Sequence, residues 1–294
     1  MTSPSDELSR FLGREQQRVD QALRRSLPVH DPEEPWLVEA MDYSLSAGGK
    51  RVRPILALHG CEVLGGSERD VLPAACALEW IHAFSLIHDD LPALDDDDMR
   101  RGKPSNHVRF GEALAILAGD ALAVGAFQLV AERTPDPALA GVLVRELAAG
   151  AMGMIFGQTA DVQWEGKEAT PAALRSIHRQ KTAALFRAAL RIGAFAARAE
   201  PDLVDRFTTY GESIGLAFQV ADDLLDVRST DAELGKRAGK DAARGKNTYP
   251  SVFGIDESVR QAHELGDRAI AAIEGIPGSE RLRDLARYIV ERTH

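Results

Sequence analysis

Apolar residues along this chain recur three and four positions apart, the spacing that places them on one face of an α-helix. The first such run carries Leu8, Phe11, Leu12, Val19 and Leu23. No stretch of useful length alternates apolar and polar residues with a period of two, so the pattern predicts no strands. The sequence therefore predicts an all-α fold.

Clusters of proline, glycine and small polar residues interrupt this pattern and divide it into roughly ten predicted helices. The interruptions fall at residues 28–35, 65–67, 101–106, 134–137, 164–171, 200–201, 229–250 and 276–278. Because no low-complexity linker separates two halves, we expect a single domain over residues 1–294. Residues 1–5 are expected to be disordered.

Composition and charge narrow the class of protein. A hydrophobic content of 45% in 294 residues is ample for a globular core. The net charge of −10 argues against nucleic acid as a partner. Cys61 and Cys76 show no disulfide or metal spacing, which favours a reducing compartment. With no signal-like start and no uninterrupted apolar stretch long enough to cross a bilayer, we expect a cytoplasmic protein without stable membrane insertion.

The clearest candidate for chemistry is the stretch SLIHDDLPALDDDDMRRGKPSNH, from Ser85 to His107. Its charged residues after the apolar start include Asp89, Asp90, Asp95, Asp96, Asp97, Asp98, Arg100 and Arg101. Carboxylates this close repel one another, and a hard cation such as Mg²⁺ relieves that repulsion. Guanidinium groups match phosphate oxygens in bidentate geometry. The stretch therefore predicts a site for a Mg²⁺–phosphate ligand.

A second aspartate set decides between this interpretation and two others, a solvated acidic loop and the His88-Asp89 pair of a metal phosphohydrolase. Asp222 and Asp226 are four residues apart and so share one helix face, with Asp223 between them. Both aspartate sets follow an apolar helical run. Two such helices can face each other across a cavity and hold several Mg²⁺ ions around one diphosphate.

A basic segment, GGKRVRP, occupies residues 48–54. Its glycines allow the backbone to approach a ligand, and Pro54 suits the first turn of a following helix. Lys50 and Arg53 would then lie at a helix N-terminus, which favours anions, although a plain basic turn is the alternative. His82 lies seven residues before Asp89, so the two side chains share a helix face.

These motifs, in this order, resemble the trans-isoprenyl diphosphate synthases of the polyprenyl synthetase family, and among them the short-chain farnesyl and geranylgeranyl diphosphate synthases. Lys181-Thr182, Phe218-Gln219 and the segment from Gly235-Lys236 to Lys246 also match. The resemblance runs from about residue 41 to 249 and implies one large helical bundle around a deep central cavity. It also implies a homodimer and about three Mg²⁺ ions with substrate, Mn²⁺ being a possible substitute.

The resemblance assigns a role to each matching residue. The implied metal ligands are Asp89, Asp90, Asp95, Asp222, Asp223 and Asp226. The implied isopentenyl diphosphate ligands are Lys50, Arg53, His82 and Arg101. The implied allylic diphosphate ligands are Arg100, Lys181, Thr182, Gln219, Lys236 and Lys246. The residues implied in catalysis are Asp89, Asp95, Lys181, Thr182, Gln219 and Asp222.

The implied reaction joins isopentenyl diphosphate head-to-tail to an allylic diphosphate, dimethylallyl or geranyl, and releases diphosphate. In the family that the chain resembles, a bulky aromatic at the position of Phe84, five residues before Asp89, together with an insertion such as Ala93-Leu94, goes with farnesyl diphosphate as the product. The resemblance thus implies that Phe84 and Ser85 set chain length. The small Ser85 keeps geranylgeranyl diphosphate as the alternative. A class I terpene cyclase and a non-catalytic synthase subunit are less favoured, because both aspartate sets and the basic segment are intact.

Overall fold

The structure is a computed structural model that describes residues 4–28, 33–232 and 247–291, without the side chains of residues 4–6 and 228–232. Helix α1 begins at Pro4, so residues 4 and 5 of the segment expected to be disordered lie in a helix. Residues 1–3 lie outside the described residues, as does the whole predicted Gly235–Lys246 segment with Lys236 and Lys246.

Helices make up almost all of the regular structure, and the predicted all-α fold is confirmed. A π-helical turn, Arg179–Ala183, joins α8 to α9. The α-helices are α1 Pro4–Ser26, α2 Trp36–Leu45, α3 Val52–Val63, α4 Glu68–Asp89, α5 Asn106–Phe110, α6 Glu112–Arg133, α7 Pro137–Trp164, α8 Pro171–His178, α9 Ala184–Ala196, α10 Pro201–Ala232, α11 Tyr249–Phe253, α12 Ile255–Ala272 and α13 Glu280–Glu291.

A short β-hairpin follows the first aspartate set, although the sequence pattern predicts no strands. Strands β1 (Met99–Arg100) and β2 (Lys103–Pro104) pair antiparallel. The turn residues Arg101 and Gly102 both have positive φ, 53° and 77°, as a two-residue hairpin turn requires. Strands of two residues are too short to show an alternating pattern, so periodicity could not reveal them.

The described chain divides into two compact units, and the expectation of a single domain stays a prediction. The first unit holds helices α1 to α6, the start of α7 and residues 195–198. In it α4 packs against α3 and α6. A Cβ atom built on Gly125 of α6 would lie 2.7 Å from the Trp80 ring of α4. The small residue therefore allows a close helix contact that fixes the helix leading to Asp89.

The second unit comprises residues 149–194 and those after residue 198. Helix α10 is its centre and packs against α12, α13 and the π-helical turn. Phe207 and Tyr210 on α10 are fully buried, and the Tyr210 hydroxyl donates a hydrogen bond to the Leu282 carbonyl at 2.8 Å. These contacts hold the helix that carries the second aspartate set.

Three helices in the described chain, α4, α6 and α7, are long and apolar enough to cross a membrane by length and composition. The prediction from the sequence considered only uninterrupted apolar runs, and these three helices are apolar on average although charged residues interrupt them. Charged residues occur within each helix, namely Glu79 in α4, Asp120 in α6, and Arg145 and Glu146 in α7. Absence of stable membrane insertion stays a prediction.

Candidate active site

The first aspartate set forms a loop that turns back onto the end of α4. The Asp95 amide donates a hydrogen bond to the Asp89 carbonyl at 2.7 Å, and the Asp97 amide donates to the Asp90 carbonyl at 3.1 Å. Asp96 makes the turn with a φ of 48°, in the left-handed region that aspartate tolerates better than most residues. The inserted residues Ala93-Leu94 thus bring Asp95 back beside Asp89.

The Asp90 carboxylate is buried and hydrogen-bonded to an arginine. It is only 2% exposed, and the Arg100 guanidinium makes several hydrogen bonds to its carboxylate, one of them from Nε at 3.0 Å. Burial raises the pKa of Asp90, and the Arg100 charge opposes that shift. Asp90 therefore fixes the guanidinium at the start of the hairpin, whereas Asp89 and Asp95 are half-buried.

The second aspartate set shows the same division between accessible and committed carboxylates. Asp226 is exposed and Asp222 half-buried, whereas Asp223 is only 6% exposed. Asp223 accepts hydrogen bonds from Gln219 Nε2 at 2.7 Å and from the Tyr249 amide at 2.8 Å. Burial raises its pKa to about 7 despite these hydrogen bonds. Asp222 and Asp226, four residues apart on one helix face, are therefore the solvent-accessible members of the set.

The Lys181-Thr182 pair lies in the π-helical turn, within a run whose periodicity predicts a continuous helix from Pro171 to Ala199. Such single π turns widen the helix and frequently occur at functional sites. The Thr182 hydroxyl donates to Gln219 Oε1 at 2.6 Å, and Gln219 in turn donates to Asp223. The structure thus joins the predicted Thr182 and Gln219 in one hydrogen-bonded chain that reaches Asp223.

Lys181 has a counter-charge in this unit, since its Nζ lies 2.5 Å from Asp161 Oδ2 on α7. The backbone of α7 also approaches the π turn closely at Gly157. A Cβ atom built on Gly157 would lie 2.0 Å from the Lys181 backbone nitrogen. Glycine at this position therefore sets the distance between α7 and the turn that presents Lys181 and Thr182.

A pocket in the first unit collects most of the predicted diphosphate-binding arginines. Its lining includes Glu79, His82, Asp90, Arg100 and Arg101. The hairpin that carries both arginines is tied to α2, since Tyr43 donates to the Pro104 carbonyl at 2.8 Å. Lys50 and Arg53 are not among the lining residues, and Lys50 is exposed.

Arg101 connects this pocket to the glycine loop of the basic segment. Its guanidinium donates to the Gly48 carbonyl, and a Cβ atom on Gly49 would lie 2.7 Å from its Nη1. Gly49 has a φ of 135°, a conformation that few other residues adopt. The glycines therefore let the loop backbone lie against the Arg101 side chain. The sequence predicted that they allow a close approach to a ligand, and it did not indicate Arg101 as the neighbour.

The surroundings of His82 disfavour its protonated form. Burial lowers its pKa well below the usual value, and the charges of Arg53 and Arg101 lower it further. A neutral imidazole still has one N–H donor, so His82 can offer a hydrogen bond to a phosphate oxygen without adding charge. Arg53 lies in the first turn of α3, and α3 packs against α4, the helix that carries His82.

The donor chemistry of both aspartate sets fits Mg²⁺, which prefers carboxylate oxygens. Within residues 4–28, 33–232 and 247–291, no three or more His, Cys, Asp and Glu side chains form a preassembled metal cluster. The predicted donors Asp89 and Asp95 in one unit, and Asp222 and Asp226 in the other, are all at least partly exposed.

Residues that sequence reasoning left without a role also belong to these networks. Arg51, which matched no binding role, is buried in an ion pair with Glu79. The Tyr249 amide and the buried His178 ring, 5.1 Å from the Tyr249 ring, lie next to Asp223. Asp161 forms the ion pair with Lys181. The only general rule that could have indicated these residues is that buried charged groups need partners. That rule does not identify the partner when it lies far away in the sequence.

An all-helical fold with aspartate sets on two helices and an arginine-lined pocket defines a protein of the isoprenoid synthase type. A family model described as polyprenyl synthetase matches residues 34–274. A geranylgeranyl diphosphate synthase from Cyanophora paradoxa is 47% identical over 295 residues, 97% of this chain and 96% of that protein.

A farnesyl diphosphate synthase from Haemophilus influenzae is 44% identical over 262 residues, 87% of this chain and 88% of that protein. The crystal structure of an FPP/GFPP synthase from Zymomonas mobilis superposes with a TM-score of 0.86 at 36% identity, covering 97% of this chain and 99% of that one. The chain belongs to the polyprenyl synthetase family, as the motif resemblance predicted. It is a short-chain trans-prenyltransferase.

Proposed function

We propose that this prenyltransferase joins isopentenyl diphosphate head-to-tail to dimethylallyl or geranyl diphosphate, forms farnesyl diphosphate and releases diphosphate. The observation that carries the product assignment is Phe84 on α4. This side chain is half-buried, lies five residues before Asp89, and is held edge-on against the His88 ring at 5.1 Å. An aromatic ring fixed one turn before the aspartates would limit the length of a growing chain.

The metal roles are proposed in two tiers. Asp89 and Asp95 would be direct Mg²⁺ ligands in the first set, and Asp222 and Asp226 in the second. Asp90 and Asp223 instead hold Arg100 and Gln219, as their hydrogen bonds favour. When bound, Mg²⁺ would neutralise the charge that develops on the leaving diphosphate.

The side chains have separate proposed tasks in the ionisation step. Arg100 and Lys181 bind the allylic diphosphate, and Asp161 keeps the Lys181 ammonium in place before substrate arrives. Thr182 and Gln219 present oxygen atoms to the allylic cation, since each oxygen keeps a free lone pair beyond their shared hydrogen bond. No side chain is assigned as the base, and the departing diphosphate is the proposed proton acceptor.

Replacing Phe84 with alanine is expected to lengthen the product by at least one isoprene unit. The change removes the ring that would close the pocket and leaves a cavity of about its size. The measurement is mass spectrometry of the products made from isopentenyl and dimethylallyl diphosphates. Trp36→Ala, which truncates an exposed aromatic on α2, serves as the control and should leave the product unchanged. Farnesyl diphosphate as the sole product of an active Phe84→Ala enzyme would contradict the assignment.

Geranylgeranyl diphosphate is the second candidate product, and two observations favour it. Ser85, four residues before Asp89, is small, and its hydroxyl is turned back to the His82 carbonyl at 2.9 Å. The Cyanophora relative is named a geranylgeranyl diphosphate synthase. The product of the unmodified enzyme decides between the two candidates in the same mass spectrometry assay.

Replacing Arg53 with alanine is expected to raise the KM for isopentenyl diphosphate about tenfold or more, because a charge-assisted phosphate contact is lost. The KM for the allylic substrate should change much less. Steady-state kinetics with each substrate varied in turn measures both values, and Lys50→Ala should behave in the same way. Equal changes in both KM values would mean that the basic residues are assigned to the wrong diphosphate.

The proposed partners are small isoprenoid diphosphates and a second copy of this chain. Exposed apolar side chains on α6, namely Ile116, Leu117 and Val124, support a homodimer, since monomers seldom leave such a face uncovered. A cytoplasmic location remains a proposal supported by the cysteine usage. The net charge of −10 supports the absence of a nucleic-acid partner.

A further inference from the structure

Arg51 stands in the middle of the basic segment, yet its side chain is turned away from solvent. It is 4% exposed, and its backbone adopts a φ of 49°, in the left-handed region. A long side chain rarely adopts this conformation unless its surroundings impose it. The contacts that impose it are therefore informative about its role.

The Arg51 guanidinium makes contacts with three different helices of the first unit. Its Nε donates to Asp20 of α1 at 2.7 Å, and its Nη1 donates to Glu79 of α4 at 2.6 Å. Its Nη2 donates to the carbonyl of Leu45, the last residue of α2. A planar guanidinium can direct donors to several acceptors at fixed angles, which an ammonium cannot do.

These contacts link the two parts of the proposed isopentenyl diphosphate site. Arg51 lies between Lys50 and Arg53 on the basic segment, and Glu79 lies three residues before His82 on α4. The pair therefore fixes the register of the segment relative to the helix face that carries His82. Glu79 is only 3% exposed, and both members of the pair line the pocket that also contains His82 and Arg101.

We propose that Arg51 and Glu79 are positioning residues of the isopentenyl diphosphate site, and that their ion pair holds Lys50 and Arg53 in register with His82. The inference rests on the proposed function, because it assumes that this site binds isopentenyl diphosphate. It accounts for a basic residue in the segment whose guanidinium is already engaged by Asp20, Glu79 and the Leu45 carbonyl. It also separates Arg51 from Arg53, although the two lie two residues apart in sequence.

The test is calorimetric titration of the full chain with isopentenyl diphosphate alone and with dimethylallyl diphosphate alone, each in the presence of Mg²⁺. Arg51→Lys keeps the positive charge but removes the planar guanidinium that contacts three helices. It is expected to weaken isopentenyl diphosphate binding about tenfold and to change dimethylallyl diphosphate binding less than about twofold. Arg18→Lys is the matched control, because Arg18 also joins α1 to α4 through an ion pair, with Glu68, but on the surface. It should bind both ligands as the unmodified protein does.

A double variant, Arg51→Met with Glu79→Met, separates positioning from stability. Replacing both members of a buried ion pair with apolar residues often preserves stability. This variant should therefore melt near the unmodified protein and still bind isopentenyl diphosphate weakly. If Arg51→Lys does not fold, the double variant and Asp20→Asn decide by the same criterion, since Asp20 is only partly buried.

Each remaining outcome overturns the proposal in a recognisable way. Unchanged isopentenyl diphosphate binding by a folded Arg51→Lys or double variant would show that the ion pair does not position the site. Equal weakening for both ligands would show a general structural role. Failure of the unmodified protein to bind isopentenyl diphosphate would instead overturn the proposed function, and this inference with it.

Discussion

The Asp89→Asn protein is expected to lose turnover by roughly 100- to 1,000-fold while it stays folded, because a catalytic metal would lose one of its anionic ligands. Asparagine keeps the size of the side chain and one oxygen donor, so the loss reports the charge. Asp89 ends α4, and its carbonyl accepts the Asp95 amide, so the backbone of the loop is preserved in the variant.

The measurement is steady-state turnover with both diphosphates at saturating Mg²⁺, followed by a Mg²⁺ titration. The Asp222→Asn protein should lose turnover to a similar degree. Asp96→Asn is the matched control, since Asp96 is exposed, has no assigned role and has a positive φ that asparagine also tolerates. Near-normal turnover in either Asp89→Asn or Asp222→Asn would remove the proposed metal ligands.

The same experiment can separate the two kinds of carboxylate. Asp90→Asn would keep the direct ligands but weaken the hold on Arg100. Sequence spacing could place Asp222 and Asp226 on one helix face, because that follows from helix geometry alone. It could not show that Asp90 and Asp223 are buried, because Asp90 is held by Arg100 of the hairpin and Asp223 by the Tyr249 amide of another helix. Only Gln219, four residues before Asp223 on α10, lies within helical spacing.

The spacing of apolar residues predicted the helices well, because each helix of this fold buries one apolar stripe. They failed where the backbone departs from the helical period. The π turn at Arg179–Ala183 lies in a run with unbroken helical periodicity, so only the motif resemblance marked Lys181-Thr182 as special. The hairpin after Asp98 arises from a turn with two positive φ values, and an arginine at such a position gives no sequence signal.

Long-range ion pairs were equally hidden from the sequence. Arg51 and Glu79 are 28 residues apart, and Lys181 and Asp161 are 20 apart. No periodicity connects residues at such separations when they lie on different helices. What the sequence did supply was the chemistry of each segment, since aspartates and arginines restrict the ligand to a metal and an anion. The structure adds which of these aspartates and arginines form hydrogen bonds or ion pairs with one another.

The Gly157→Ala protein is expected to be destabilised by about 3 kcal/mol, because the added methyl group would overlap backbone atoms. The Cβ atom would lie 2.0 Å from the Lys181 nitrogen and 2.4 Å from its Cα. A backbone cannot rotate away as a side chain can, so α7 and the π turn would have to separate. Displacement of Lys181 and Thr182 by about 1 Å would also lower turnover by roughly 100-fold.

Thermal or urea unfolding and steady-state turnover of the same preparation measure the two effects of Gly157→Ala. Gly141→Ala is the matched control, because Gly141 lies on α7 with no atom within 4 Å of its built Cβ. That change should stabilise the protein by about 0.5–1 kcal/mol, as expected for alanine in an open helical position. A Gly157→Ala protein with unchanged stability and turnover would show that α7 can shift without moving the π turn. The close contact at Gly157 would then not determine the position of Lys181.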